Sequence, residues 1–110
     1  MDNQDNKIQE MQMLEQNLQN LLLQKQAFQI ELSETESALK EIESAGDEVF
    51  KIIGQLMLKT EKSKIKKELS EKQKILNLRT KELEKQEGLF TKKLETLRDE
   101  ILKASKTSKK

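Results

Sequence analysis

The chain has 110 residues, of which 37% are charged and 34% are hydrophobic, and its formal net charge is +1. This length allows one domain, and so few apolar side chains cannot fill a compact core unless they line narrow seams between long helices. Cysteine and histidine are absent, which excludes disulfides, thiolate metal sites and the commonest general base of enzymes. No apolar run approaches the roughly 20 residues that span a bilayer. The composition predicts a cytoplasmic, non-enzymatic chain with no cofactor and no metal ion.

The first predicted element is a helix from about residue 8 to residue 43. Along it, apolar residues recur in alternating steps of three and four, which is typical of a coiled coil. Lys25 and Thr35 are the two seam positions that are not apolar. The seam consists of Met11, Leu14, Leu18, Leu21, Lys25, Phe28, Leu32, Thr35, Leu39 and Ile42, and it is broadened by Ile8, Leu22, Leu23 and Ile30.

The period changes after residue 46, where apolar, β-branched and aromatic residues dominate two short runs, 49–53 and 56–60. Gly54 and Gln55 separate the runs, and glycine first in a two-residue loop suits a type II′ turn. The pattern predicts a β-hairpin over about 48–60 with apolar residues on both faces. The pairing would place Val49, Lys51, Ile53, Leu56, Leu58 and Thr60 on one face and Phe50, Ile52, Met57 and Lys59 on the other. The alternative interpretation is that residues 47–60 continue the helix or form a helical bend.

A second helix is predicted from about residue 63 to residue 103. Its heptad positions are Leu69, Leu76, Leu83, Phe90 and Leu97, with companions Gln73, Thr80, Glu87, Leu94 and Ile101. The tail over residues 104–110 has no periodicity and is predicted to be disordered. The two helices have similar lengths, so antiparallel pairing would place both chain termini at the far tip and the hairpin at the bend.

The predicted hairpin is not expected to be stable by itself. A two-stranded hairpin is marginal in water, and apolar faces with two unpaired edges invite aggregation. Pairing with hairpins of other subunits would close a β-barrel and cover these edges. The residues predicted to make this assembly are Val49, Phe50, Ile52, Ile53, Gly54, Leu56 and Leu58. The predicted fold is a single mainly α domain, residues 1–110. It is a long antiparallel two-helix coiled coil with one β-hairpin at its bend, and the hairpins assemble into an oligomeric β-barrel.

The residues of the hairpin resemble those of one known family. The run from Val49 to Gly54, VFKIIG, is similar to the VYK-aliphatic-aliphatic-G hairpin entry of prefoldin β-type subunits. Residues 68–72 and 83–87 look like the second helix of that family. The likeness covers nearly the whole chain, and its specific part is about 47–87. Phe50 stands where a tyrosine is often found and Gln55 where a proline is frequent, so the tyrosine hydroxyl contact would be missing.

The resemblance implies a fold and a function. Prefoldins are hexamers of two α-type and four β-type subunits, whose hairpins form a barrel platform with six coiled-coil arms. They hold non-native proteins at the arm tips without ATP and pass them to a group II chaperonin. Because α-type subunits carry two hairpins, the single hairpin here indicates the β-type, close to archaeal chains. The implied partners are an α-type subunit, other copies of this chain, non-native clients and the chaperonin, with neither nucleic acid nor membrane.

Client binding is predicted near both ends of the chain, where the helices would form the tip of the arm. Methionine suits such a surface because its flexible side chain fits varied partners. The predicted client-binding residues are Ile8, Met11, Met13, Leu14, Leu97, Ile101 and Leu102. The alternative is that they are ordinary seam residues at a helix end.

Two other functions are compatible with a charged coiled coil. A structural adaptor would bind one folded partner and would not affect the aggregation of unrelated proteins. An RNA-binding arm would need a basic face, and the balanced lysines and glutamates do not supply one. The lysines of the tail, Lys103, Lys106, Lys109 and Lys110, have no aromatic residues among them for base stacking. They are interpreted as a solubilising tail.

Overall fold

The computed structural model describes residues 3–108, which form two long helices joined by a β-hairpin. The elements in chain order are α1 (Asn3–Glu43), β1 (Glu48–Ile53), β2 (Leu56–Glu61) and α2 (Lys62–Ser108). The predicted helix–hairpin–helix order is confirmed. The alternative in which residues 47–60 remain helical is wrong, because the apolar and β-branched side chains of this segment favour extended pairing.

Both helices extend beyond the predicted bounds. α1 begins at Asn3 instead of about residue 8, and α2 ends at Ser108 instead of about residue 103. The structure therefore differs from the predicted disordered tail over residues 104–108, whereas Lys109 and Lys110 lie outside the described residues. No glycine or proline interrupts the tail, and its alanine and lysines have favourable helix propensities. The helix propensity of these residues thus continues α2 beyond Ile101, its last apolar heptad position.

The chain divides into two compact units, and the first consists, in its described part, of residues 3–26 with residues 81–108. Its helical segments are antiparallel, since Lys7 Nζ lies 3.4 Å from Glu100 and Lys25 Nζ lies 3.7 Å from Glu84. The apolar cluster of this unit consists of buried Leu14, Leu94 and Leu97, with Met11, Leu18 and Phe90 packed against them.

The second unit consists of residues 27–80 and contains the hairpin. Its helical segments are also antiparallel, because Glu31 pairs with Lys72 and Glu43 pairs with Lys66. Thr35 is buried in the seam, and its hydroxyl donates a hydrogen bond of 2.8 Å to the carbonyl oxygen of Glu31. A hydroxyl can therefore occupy an apolar seam because a carbonyl oxygen in the preceding turn of its own helix accepts its hydrogen bond.

Burial along both helices confirms the predicted heptad positions. All ten seam positions of α1 and all ten of α2 are buried or partly buried. The residues predicted to broaden the stripe, Ile8, Leu22, Leu23 and Ile30, are exposed instead. In a heptad frame, Leu23 and Ile30 fall opposite the seam and Ile8 and Leu22 lie beside it, so a two-helix pairing does not reach them.

The hairpin is a two-stranded antiparallel sheet with the predicted faces. The pairs Val49–Thr60, Lys51–Leu58 and Ile53–Leu56 form one face, and the pairs Glu48–Glu61, Phe50–Lys59 and Ile52–Met57 form the other. Successive residues of a strand point to opposite faces. This register fixes which side chains act together at the candidate site.

Candidate functional site

A two-residue turn positions the hairpin. Gly54 has a φ of 59°, and no other described residue has a positive φ. A positive φ at the first loop residue, followed by a negative φ at Gln55, is the arrangement of a type II′ turn. A side chain at position 54 would strain the backbone even though a Cβ there would meet no atom within 4 Å. The predicted role of Gly54 in shaping the hairpin therefore has a backbone cause.

The hairpin exposes most of its apolar side chains. The exposed large apolar residues of the two strands are Phe50, Ile52, Ile53, Leu56, Met57 and Leu58. Each strand pairs on one side only, so each presents a free edge of backbone donors and acceptors within this chain. An exposed apolar sheet with free edges is a template for pairing with another strand.

An ion pair attaches the middle of the hairpin to α2. Lys51 Nζ donates a hydrogen bond of 2.8 Å to Glu68 Oε2. Both side chains are about half exposed, so the attraction is screened by water, but the short contact fixes a geometry. The lysine side of β1 is therefore directed toward the helix.

Lys62 joins the end of α1 to the end of the hairpin. Its backbone N–H donates to the carbonyl oxygen of Asp47 at 3.1 Å. Its ammonium group donates to the carbonyl oxygens of Glu43 and Ala45, each at 3.1 Å. The last carbonyls of a helix have no partner within the helix, and a cation there also complements the helix dipole. Lys62 therefore caps α1 from the first residue of α2.

Two glutamates near the hairpin are stabilised as carboxylates. A hydrogen bond from Lys66, together with its charge, lowers the pKa of Glu43, and Lys62 contributes a smaller attraction. A hydrogen bond from Lys51 likewise lowers the pKa of Glu68, against a partial opposing effect of desolvation. The contacts Glu43–Lys66 and Lys51–Glu68 are therefore formed by carboxylates at neutral pH.

The structure places the seven predicted client-binding residues in three environments. Ile8, Met13 and Leu102 are exposed. Met11 and Ile101 are partly buried on the seam. Leu14 and Leu97 are buried in one apolar cluster, against which Met11 packs. Only the first three are open to a partner without separation of the helices.

Several ion pairs between the helices are not predicted by the sequence pattern. Lys7 pairs with Glu100, and Lys25 forms ion pairs with both Glu84 and Glu87. The pairing of Lys25 could have been expected, because a charged residue in an apolar seam needs a partner of opposite charge. The capping role of Lys62 has no sequence pattern that predicts it, since a lysine after a strand is ordinary in a chain with so many charges.

Residues 3–108 contain neither a candidate metal site nor a candidate membrane span. No cluster of three or more acidic side chains there could hold a metal ion. Neither helix, over the same range, has a stretch that is long and apolar enough to cross a membrane. Among these residues, exposed large apolar side chains lie on the hairpin and on the helical segments of both units.

Comparisons with known proteins agree with this architecture. The sequence matches the family model described as prefoldin subunit over residues 5–108. It is 42% identical to prefoldin subunit beta of Thermococcus onnurineus over 89 residues, which are 79% of this chain and 77% of that relative. It is 38% identical to prefoldin subunit beta of Sulfurisphaera tokodaii over 93 residues, which are 83% and 74% of the two chains.

A solved structure extends the similarity to the fold. The crystal structure of the prefoldin beta subunit from Thermococcus strain KS-1 matches with a TM-score of 0.84 and 39% sequence identity. The match covers 92% of this chain and 90% of that chain.

Proposed function

Because the chain belongs to the prefoldin subunit family, we propose that it is a β-type subunit of a hetero-hexameric prefoldin that holds unfolded proteins without ATP. In this proposal two α-type subunits and four copies of this chain assemble through their hairpins. The arms bind non-native clients and deliver them to a group II chaperonin in the cytoplasm.

The observation that carries the proposal is the exposed apolar hairpin between the two helices. Within the described part of a single chain, six large apolar side chains of the hairpin are exposed and each strand pairs on one side only. Such a sheet needs other strands to be stable in water. Relatives at about 40% identity are named prefoldin subunit beta, which supports other prefoldin hairpins as the source of those strands.

Client binding is assigned to the first unit. Ile8, Met13 and Leu102 are exposed and would make the first contacts. Met11, Leu14, Leu97 and Ile101 would contribute when the helices separate, because the seam holds them in the closed pair. The ordinary seam role of Leu14 and Leu97 and their role as client contacts are therefore two states of the same residues.

The test is an aggregation assay with the complex of this chain and the α-type prefoldin subunit of the same source. Several unrelated proteins, unfolded in denaturant, are diluted into buffer with or without the complex, and light scattering is followed in the absence of ATP. The proposal predicts that scattering falls for every client. If scattering is unchanged for all of them while one folded protein binds stoichiometrically, the chain is an adaptor instead.

A further inference from the structure

Two of the seam positions in the first unit are charged, Lys25 on α1 and Glu87 on α2. Lys25 Nζ donates a hydrogen bond of 3.3 Å to Glu87 Oε2 and lies 3.7 Å from Glu84 Oε1. The side chain of Lys25 is 23% exposed and that of Glu87 is 31% exposed, so water reaches the pair only in part. We call Lys25, Glu84 and Glu87 the charged layer of the first unit.

The charged layer holds the two helices together less well than apolar side chains would. Leu21 and Leu83, each four positions before one of the two seam charges, are buried. Charges in a seam lose hydration that their mutual attraction only partly offsets, so their replacement by apolar residues is often neutral or stabilising. Leucines at the same positions would bury apolar surface instead. The charged layer is therefore a weak point in a seam that is otherwise apolar.

Gly88 weakens α2 beside the charged layer. It follows Glu87 directly, and a Cβ at this position would meet no atom within 4 Å. No contact among the described residues therefore requires a glycine here. Because glycine is less favourable than alanine in a helix interior, the weak layer of the seam coincides with a weak position of the helix.

The helical segments of the first unit depend on each other. Most of the stability of a helix in a protein comes from the packing of its apolar face. The apolar cluster of this unit joins the two helices, since Leu14 of α1 packs with Leu94 and Leu97 of α2. Separation at the seam removes this packing from residues 11–18 and from residues 90–97 together. The two segments should therefore lose their protection as one unit.

From these observations we propose that Lys25, through its ion pairs with Glu84 and Glu87, determines how often the first unit opens as a whole. The inference rests on the proposed function, in which Leu14 and Leu97 contact clients once the helices separate, and it adds the residues that control this separation. Lys25 is a positioning residue, because it acts through the helix pair and not by touching the client. The ion pairs also favour closure in one register, as polar residues at seam positions do.

Hydrogen exchange with mass spectrometry, on the complex of this chain with the α-type subunit, measures the opening. Native mass spectrometry first verifies that each variant assembles. In Lys25→Leu with Glu87→Leu the layer is apolar, and we expect amide exchange over residues 11–18 and 90–97 to slow by about tenfold. Exchange over residues 31–42, in the second unit, should not change. Unchanged exchange in the first unit, or equal slowing in both units, overturns the proposal.

Thr35→Val is the matched control. Thr35 is a buried polar residue at a seam position of the second unit, so this variant also makes a seam position apolar. We expect it to leave exchange over residues 11–18 and 90–97 unchanged, because it does not alter the first unit. Slowing there as large as in the double-leucine variant would overturn the assignment of control to the charged layer.

Charge reversal separates the ion pairs from simple packing. Lys25→Glu alone places three carboxylates together and should speed exchange in the first unit by about tenfold. The triple variant Lys25→Glu, Glu84→Lys and Glu87→Lys restores the pairing with opposite signs. It should return the exchange to within about twofold of the unaltered chain. A triple variant that exchanges as fast as the single variant overturns the role of the ion pairs.

If the double-leucine variant does not assemble, Gly88→Ala replaces it. Alanine strengthens α2 beside the charged layer without a clash. We expect exchange to slow by about fivefold over residues 90–97 of the same helix and also over residues 11–18 of α1. Slowing that is confined to α2 overturns the joint opening of the two helices.

Client affinity distinguishes a failure of this inference from a failure of the proposed function. The double-leucine complex should bind a fluorescent unfolded client more weakly, by up to about tenfold, because its first unit is open less often. Slower exchange with unchanged client affinity overturns the control of client access. If the unaltered complex suppresses the aggregation of no client, the proposed function is wrong, and the exchange rates alone then decide whether the charged layer controls the opening.

Discussion

At the scale of single residues, the side chains that shape the molecule are mostly polar ones with defined partners. Thr35 can fill a seam position because the carbonyl oxygen of Glu31 accepts a hydrogen bond from its hydroxyl. Lys62 caps α1 although it belongs to α2. The apolar residues form the seams, whereas these few polar contacts determine where each element ends and how the hairpin is held.

Gly88 offers a direct measure of helix propensity in α2. A Cβ at this position would meet no atom within 4 Å, so alanine can be introduced without a clash. We expect Gly88→Ala to raise the free energy of unfolding by about 1 kcal/mol, since glycine in a helix interior is less favourable than alanine by roughly that amount. Chemical denaturation of both proteins under the same conditions measures the change. A destabilised variant would mean that the glycine serves a close contact absent from this structure.

The carboxylates of Glu43 and Glu68 should make the contacts of α2 with the end of α1 and with β1 sensitive to acid. Their pKa values are lowered in the folded chain from an ordinary value of 4.5. A lowered folded pKa gives a contribution that is present above 4.5 and is lost as the pH falls through the folded pKa. Lys66 and Lys62 face Glu43, and Lys51 and Lys64 face Glu68.

The measurement is thermal stability against pH for the unaltered chain and for the double variant Glu43→Gln with Glu68→Gln. We expect the unaltered chain to be the more stable of the two at pH 7 and the difference to vanish below the folded pKa values. Glu71→Gln is the control, since no ion pair of Glu71 is found among the described residues. A difference between the chain and the double variant that persists unchanged into strong acid would contradict the assignment.

At the scale of elements, the sequence predicts what depends on periodicity and misses what depends on distant partners. Alternating steps of three and four predicted both seams, and the change of period with Gly54 predicted the hairpin and its register. The partner of Lys51 lies 17 residues away on another element, and no local pattern points to it. The exposure of Leu23 and Ile30 follows from the number of helices that pack together, which the apolar stripe alone does not define.

The hairpin should be the element that determines assembly. Ile52 lies in β1 opposite Met57 and is 69% exposed in the single chain. An aspartate there would place an unpaired charge in an apolar core, so we expect Ile52→Asp to abolish the hexamer. Ile30→Asp is the matched control, because Ile30 is also exposed but lies on α1. Native mass spectrometry of each variant mixed with the α-type subunit measures whether the hexamer forms. Intact hexamers from Ile52→Asp would refute the role of the hairpin in assembly.

The exposed residues of the first unit should affect clients and leave assembly intact. We expect Met13→Ser and Leu102→Ser each to weaken client binding by about tenfold, because losing the burial of one such side chain costs about 1.5 kcal/mol or more. Leu23→Ser is the control, since Leu23 is exposed in the same unit but is not among the predicted client contacts. Affinity for a fluorescent unfolded client is the measurement. Equal losses for all three variants would mean that binding is not localised as proposed.

At the scale of the whole molecule, the balance of charge and the small apolar fraction suit a protein that must expose apolar side chains and stay dispersed. The chain has 21 lysines and arginines and 20 aspartates and glutamates. Several lysines pair with glutamates of the other helix within each unit. Each exposed ion pair contributes little stability. The apolar seams and, in the proposed assembly, the shared hairpin core supply the rest.

In the proposed function this chain is one of several subunits joined by their hairpins, and native mass spectrometry of the tagged chain from its own host measures the composition of that complex. We expect a six-subunit complex that contains four copies of this chain and two copies of a somewhat longer α-type chain. A monomer, a bare dimer, or a complex with one unrelated folded protein would contradict it and favour the adaptor.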